Sequence, residues 1–219
     1  PGGLVLHSSA ESDVIDAVFG RSVAGGCDVN GDGLDDLIVG APFYDNPEDA
    51  EGRVFVYLGS ATGLANPAVP IWTGESNQAL ARYGWSVACA GDVDNNGKDE
   101  IIIGSPLYEN DPVGGADETD EGRVWVYLWT GAPVNLTLAW TAELNQGSAQ
   151  FGYSVASGRF NVDLFSDLIV GAPLWDVVAG DNRGGAFVWH GSAVGPPGPT
   201  GHPGNVSWSA TSDQNTSRF

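Results

Sequence analysis

Three short apolar runs, Leu37-Ile38-Val39, Ile101-Ile102-Ile103 and Leu168-Ile169-Val170, are hydrophobic at every position. They predict strands covered on both faces. Each run leads into Gly-Ala-Pro or Gly-Ser-Pro, at Gly40 to Pro42, Gly104 to Pro106 and Gly171 to Pro173. Each is preceded by a segment that opens on an aromatic residue and a glycine. These are Phe19-Gly20-Arg21-Ser22-Val23-Ala24, Tyr83-Gly84-Trp85-Ser86-Val87-Ala88 and Phe151-Gly152-Tyr153-Ser154-Val155-Ala156. A third strand is predicted at Gly52 to Leu58, Gly122 to Leu128 and Gly185 to His190. A fourth is marked by tryptophan at Ile71-Trp72-Thr73, Ala139-Trp140-Thr141 and Ser207-Trp208-Ser209. The third strands (Val54, Phe55, Val56, Tyr57) alternate less strictly, which predicts partial burial. Gly20, Gly25 and Gly26 beside the first strand are expected where backbones crowd together.

The aromatic markers Phe19, Tyr83, Phe151 and Phe219 recur at intervals of 64, 68 and 68 residues. Four strands per unit at this period describe a propeller blade. The expected fold is all-β: three consecutive four-stranded blades at 19–82, 83–150 and 151–219. Residues 1–18 are expected to supply the outer strand of a preceding blade, through a strand at 4–18. The 219 residues carry 32 glycines and 13 prolines spread along the chain, which suits many short strands and turns.

Net charge is −20, from 28 acidic against 8 basic residues. Such a surface repels nucleic acid and anionic membranes, and suits cations or cationic partners. No apolar stretch is long enough for membrane insertion. The chain starts at Pro1, without Met or a leader-like segment, and is expected to be a processed chain or an excised piece.

The pairing of Phe-Gly with Gly-Ala-Pro around an Asp-rich loop resembles the FG-GAP repeat of integrin α-subunit propellers, in three registers from about residue 3 to 219. The resemblance implies seven blades in a closed ring. This chain is therefore expected to be part of a larger propeller, or of one assembled from several chains, since an open wedge exposes strand edges and apolar faces. It also implies an extracellular or cell-surface location and a protein or glycan ligand on the face bearing the loops after Gly-Ala-Pro.

The chemistry lies in two loops. Asp28-Val29-Asn30-Gly31-Asp32-Gly33-Leu34-Asp35-Asp36 places side-chain oxygens at positions 1, 3, 5 and 9, as does Asp92-Val93-Asp94-Asn95-Asn96-Gly97-Lys98-Asp99-Glu100. The expected ligands are Asp28, Asn30, Asp32 and Asp36, then Asp92, Asp94, Asn96 and Glu100, with Leu34 and Lys98 through their backbone carbonyls. Hard oxygen donors without His or Cys point to Ca²⁺ ahead of Mg²⁺. The alternative is a metal-free Asx-rich turn. The third copy has Arg159 at position 1 and Leu164 at position 6. No metal is expected there, and Arg159 is expected to pair with Asp163 and Asp167 in its place.

The acidic loops at Asp45, Glu48, Asp49 and Glu51, and at Glu109, Asp111, Asp117, Glu118, Asp120 and Glu121, are expected on the face opposite the calcium hairpins. They read first as solvated loops, and second as a dock for a cation. Asn135, Asn205 and Asn215 begin glycosylation sequons. Cys27 and Cys89 end neighbouring first strands, and either a disulfide between blades or buried thiols fits. His7, His190 and His202 hold unrelated positions, so no enzyme is expected. Three functions remain open: an adhesion or recognition module, a structural subunit assembling through its blade faces, and the accessory propeller of a secreted enzyme.

Overall fold

The computed structural model describes residues 9–64, 69–109, 119–132, 135–196, 200–201 and 205–213. Among these residues the chain forms thirteen strands in three sheets. Blade one is β1 (Ser22–Cys27), β2 (Asp36–Ala41), β3 (Arg53–Tyr57) and β4 (Trp72–Glu75), paired in that order and antiparallel. Blade two is β5 (Ser86–Gly91), β6 (Glu100–Ser105), β7 (Arg123–Gly131) and β8 (Asn135–Glu143). Blade three is β9 (Ser154–Gly158), β10 (Asp167–Ala172), β11 (Gly185–Trp189) and β13 (Trp208–Thr211). The short β12 (Thr200–Gly201) adds to the edge of blade two, parallel to β8. No helix among the described residues is long and apolar enough to cross a membrane.

The apolar second strands split their side chains between two joints, as the period of two requires. Ile38 packs with Val54, Val56, Ile101, Ile103, Trp125 and Tyr83 between blades one and two. Ile102 packs with Val124, Val126, Leu168, Val170, Phe187 and Phe151 between blades two and three. On the other side of blade one, Val39, Phe55 and Tyr57 meet Ala17, Val14 and Phe19. Both faces of β3 are thus covered, and Val54 to Tyr57 are buried rather than half-exposed. The outer strand expected at residues 4–18 lies partly outside the described residues. Residues 9–18 form no strand: they run irregularly with a turn at 15–16 and positive φ at Asp16 and Val18, and Ala10, Val14 and Ala17 pack on blade one without joining its sheet.

The recurring motifs meet in one contact. The Ser22 hydroxyl donates to the Gly84 carbonyl (2.7 Å), and the Ser86 hydroxyl donates to the Gly152 carbonyl (2.8 Å). A Cβ on Gly40 would overlap the Gly84 carbonyl, and one on Gly104 would overlap the Gly152 carbonyl. The crowding expected at Gly20, Gly25 and Gly26 is therefore absent there, since these three are exposed. Gly25 and Gly26 instead occupy the register shift between Ala24 and Cys27, a bulge in β1.

Cys27 and Cys89 form a disulfide between β1 and β5, with Cα atoms 5.3 Å apart. At the opposite end of the same joint, the Tyr83 amide donates to the Glu51 carbonyl (2.9 Å). The Glu51 side chain is fully buried, and neither carboxylate oxygen completes a hydrogen bond of good geometry. Burial first, then Glu75 and Glu48, push its pKa from an ordinary 4.5 to about 7, against the pull of Arg53 and the nearby Asn77 amide.

A group whose folded pKa lies above its unfolded one holds its proton more tightly when folded. With metal chelated, stability should fall as pH rises from about 4.5 to about 7, by up to roughly 3 kcal/mol, and level off above. Urea unfolding at pH 5 and pH 8 checks this: Glu51→Gln should remove that part of the slope, and an unchanged slope would count against it. Replacing Cys27 and Cys89 together by Ala opens a long loop and should cost about 4 kcal/mol, readable in the same unfolding curves.

Candidate metal centre

The hairpins joining first to second strands hold the acidic loops. In blade one, the two Asp28 carboxylate oxygens accept the amides of Gly31 (2.8 Å), Asp32 (2.9 Å) and Gly33 (2.8 Å). Asn30 Oδ1 accepts the Asp32 amide (2.9 Å), and Asp32 Oδ1 accepts the Leu34 amide (2.9 Å). Asp36, at the start of β2, is buried and takes the Val29 and Gly59 amides on its two oxygens. Its pKa is raised by burial, with those amides opposing. Each oxygen has room for a second partner, because a carboxylate offers about four lone-pair sites.

Blade two repeats the loop with one informative difference. Asp92 accepts the Asn96 and Gly97 amides, Asp94 accepts the Asn96 amide, and Asn96 Oδ1 accepts the Lys98 amide. Glu100, buried at the start of β6, accepts the Val93 amide on Oε2 (2.8 Å). Its Oε1 is buried and has no hydrogen-bond partner. Carboxylate oxygens of Asp92, Asp94 and Glu100 lie within 4.8 Å of one another. Burial, aided by Asp94, Asp92 and Asp99, lifts the Glu100 pKa to about 8 although the Val93 amide opposes it. An orphaned buried oxygen aimed at two carboxylates fits a hard cation, since leaving it unpaired is costly. Leu34 and Lys98 sit at the seventh position, tied through their amides to Asp32 and Asn96. The Cys27 and Cys89 sulfurs lie close to Asp99 but are committed to the disulfide.

Neighbouring hairpins brace each other. The Asp28 amide donates to Asp99 Oδ2 (2.9 Å), and the Asp99 amide returns a bond to the Asp28 carbonyl (3.0 Å). One blade further on, the Ser166 amide donates to the Asp92 carbonyl (2.9 Å).

The third hairpin keeps the turn and changes its chemistry. Asp163 and Asn161 repeat the bonds of Asp32 and Asn30, with Asn161 Oδ1 accepting the Asp163 amide and Asp163 Oδ1 the Phe165 amide. Asp167 accepts the Phe160 and Gly191 amides, and His190 Nδ1 lies 3.2 Å from its Oδ1. Among the described residues Arg159 makes no ion pair, so the expected pairing with Asp163 and Asp167 does not form. Arg159 is exposed, and backbone amides already occupy those carboxylates.

Two sequons can be placed. Asn135 opens β8 and donates from Nδ2 to the Ile71 carbonyl of blade one (2.7 Å). Asn205 is exposed, and its Oδ1 accepts the Trp189 indole (3.1 Å). Asn215 lies outside the described residues, as do Asp111, Asp117 and Glu118. The solvated-loop reading of the opposite face does not hold at Glu51 and Glu121, both fully buried. The signal for them was present: Glu-Gly-Arg-Val occurs at 51–54 and again at 121–124.

A family model described as the FG-GAP repeat matches residues 19–57 and 83–127. Integrin alpha-4 of Xenopus laevis is 34% identical over 181 residues, covering 79% of this chain and 16% of its own length. Integrin alpha pat-2 of Caenorhabditis elegans is 35% identical over 191 residues, covering 81% of this chain and 14% of its own. Integrin alpha-5 of Xenopus laevis is 36% identical over 164 residues, covering 70% and 14%. The chain thus spans about a sixth of the length of the integrin subunits it matches. Three blades, their serine–glycine joints and these similarities agree, and the chain belongs to the FG-GAP repeat family of integrin α-like β-propellers.

Proposed function

We propose that this chain is a calcium-braced segment of an extracellular propeller that serves adhesion or ligand recognition, as a binding module and not as an enzyme. Its similarity to integrin α-subunits over about 80% of its length carries the recognition reading. The buried, unpartnered Glu100 Oε1 beside Asp92 and Asp94 supports the calcium. The Cys27–Cys89 disulfide suits the oxidising space outside the cell.

Asp92, Asp94, Asn96 and Glu100 would hold one ion, and Asp28, Asn30, Asp32 and Asp36 a second, with the Lys98 and Leu34 carbonyls completing the sets. The third blade holds none. When bound, Ca²⁺ supplies charge neutralisation. The residues do the rest: backbone amides pre-orient each carboxylate, and the Asp28–Asp99 bonds pass the order of one hairpin to the next. A protein or glycan ligand binds on the opposite face. Asn135, Asn205 and Asn215 are glycosylation candidates, and the first stays bonded to Ile71 through its remaining amide hydrogen.

A second reading rests on blade three. Its outward face, with Ile169, Val188, Phe160 and Trp208, lines an open cleft of about 450 Å³, and Phe160 and Trp208 are each 54% exposed. The equivalent faces of blades one and two are buried under the next blade. Further blades, from the same or other chains, cover it.

Calcium titration calorimetry of the 219-residue chain tests the hairpins. Changing Asp28 to Asn in one hairpin, and Asp92 to Asn with Glu100 to Gln in the other, should each remove one bound ion. The thermal midpoint should rise with calcium in the parent chain, by linkage. Unchanged ion counts in these variants would refute the hairpin sites. Binding of the calcium-loaded chain to immobilised matrix glycoproteins, lost in chelator, tests the recognition reading, and equal binding in both conditions would overturn its calcium dependence.

A further inference from the structure

The acid at the opposite end of the joint between blades one and two has no use in the calcium hairpins. Glu51 is 0% exposed; the Asn77 backbone amide lies close enough to oppose its pKa rise, but neither carboxylate oxygen completes a hydrogen bond of good geometry. Glu48, half-buried on the loop leading to β3, contributes a third buried, unpartnered oxygen, Oε2. Glu75 adds to the negative field at Glu51. Arg53, which opposes that field, is committed elsewhere: its Nε and Nη2 both donate to Glu75 Oε2 (3.0 and 2.6 Å), and Nη1 donates to the Tyr44 hydroxyl (3.0 Å). Asn46 Nδ2 also donates to Glu75 Oε2 (3.1 Å). Three buried carboxylate oxygens without a well-formed hydrogen bond leave a desolvation cost that a positive charge would offset.

The repeat supplies an independent comparison. Gly52, Gly122 and Gly184 hold one register, for their amides donate to the carbonyls of Tyr44, Tyr108 and Trp175. The residue before each is therefore equivalent: Glu51, Glu121 and Arg183. In blade three this position carries its own cation, and Arg183 pairs with Asp181. In blade one the same position is a glutamate, raised by burial and by Glu75 and Glu48, with Arg53 and the Asn77 amide opposing.

We propose that Glu48 and Glu51 form a third cation site, for a hard divalent ion, at the joint of blades one and two on the face opposite the hairpins. Oxygen-only donors select Ca²⁺ or Mg²⁺ over softer metals. Asp45, Asn46 and Asp49, on the same loop as Glu48, are exposed. Because the Glu51 carbonyl receives the Tyr83 amide, an ion held here fixes the point where the chain passes into blade two. The site is independent of the hairpin ions.

Native mass spectrometry with Ca²⁺, then with Mg²⁺, counts the ions on the 219-residue chain. In a chain whose hairpins carry Asp28→Asn, Asp92→Asn and Glu100→Gln, one ion should remain. Adding Glu48→Gln and Glu51→Gln should remove it, and Glu48→Gln alone should weaken it by about tenfold. Glu48 is half-buried, so this single variant keeps the test readable even where the buried change disturbs folding. No ion left in the hairpin-disabled chain, or a count unaffected by the Gln changes, overturns the site. A gain in thermal midpoint for Glu51→Gln in chelator with an unaltered ion count would also overturn it, by showing that a proton satisfies Glu51. Failure of the hairpin variants to lose ions counts against the hairpins alone and leaves this site standing.

Discussion

The architecture turns on a contact of a few atoms: the carbonyl of a glycine that opens one blade, seated against the second-strand glycine of the blade before it. Gly84 rests on Gly40 and Gly152 on Gly104, each locked by a serine hydroxyl from the preceding first strand. A methyl group on either second-strand glycine would separate the blades. Everything apolar follows from that approach, because Ile38, Val54 and Val56 meet Ile101, Ile103 and Trp125 only when the backbones come this close. The two halves of the repeat motif, far apart in each unit, are therefore the two sides of a single interblade contact.

Much of this was legible because a repeat is read several times over. Three copies of the same pattern fix strand number and order better than any one copy could, and the all-apolar second strands announced burial on both faces. The turn shape of the hairpins was legible for the same reason, since Asp and Asn alternating on a turn take up its backbone amides. What escaped was whatever depends on neighbours in space. Gly25 and Gly26 look like packing glycines in sequence, yet they serve a bulge. Arg159 looks like a stand-in cation, but amides reach Asp163 and Asp167 first. Glu51 sits among solvated acids in sequence, and only the fold places it under Tyr83. The pairing of Cys27 with Cys89 needed the distance between β1 and β5.

The hairpins also show how an acidic chain tolerates its own charge. Nearly every loop carboxylate is met by backbone amides, so the turn shape survives in blade three where the first ligand is an arginine. Shape and charge are thus separable: the amides set the first, and the second can change from blade to blade without altering the turn. The blades where charge is left over are the blades with buried glutamate oxygens lacking a well-formed hydrogen bond at Glu100 and Glu51.

The disulfide has a topological meaning as well. Its two sulfurs belong to the first strands of adjacent blades, so the chain between them closes into a covalent ring that contains the first hairpin, β2 to β4, and the whole connection into blade two. A protease that cuts one exposed loop within that ring, such as the turn near Asp45 or the segment after Leu58, produces no separate fragments. Both ends stay tethered beside the joint they came from, and the damaged blade remains next to its partner, able to close again on the same surface.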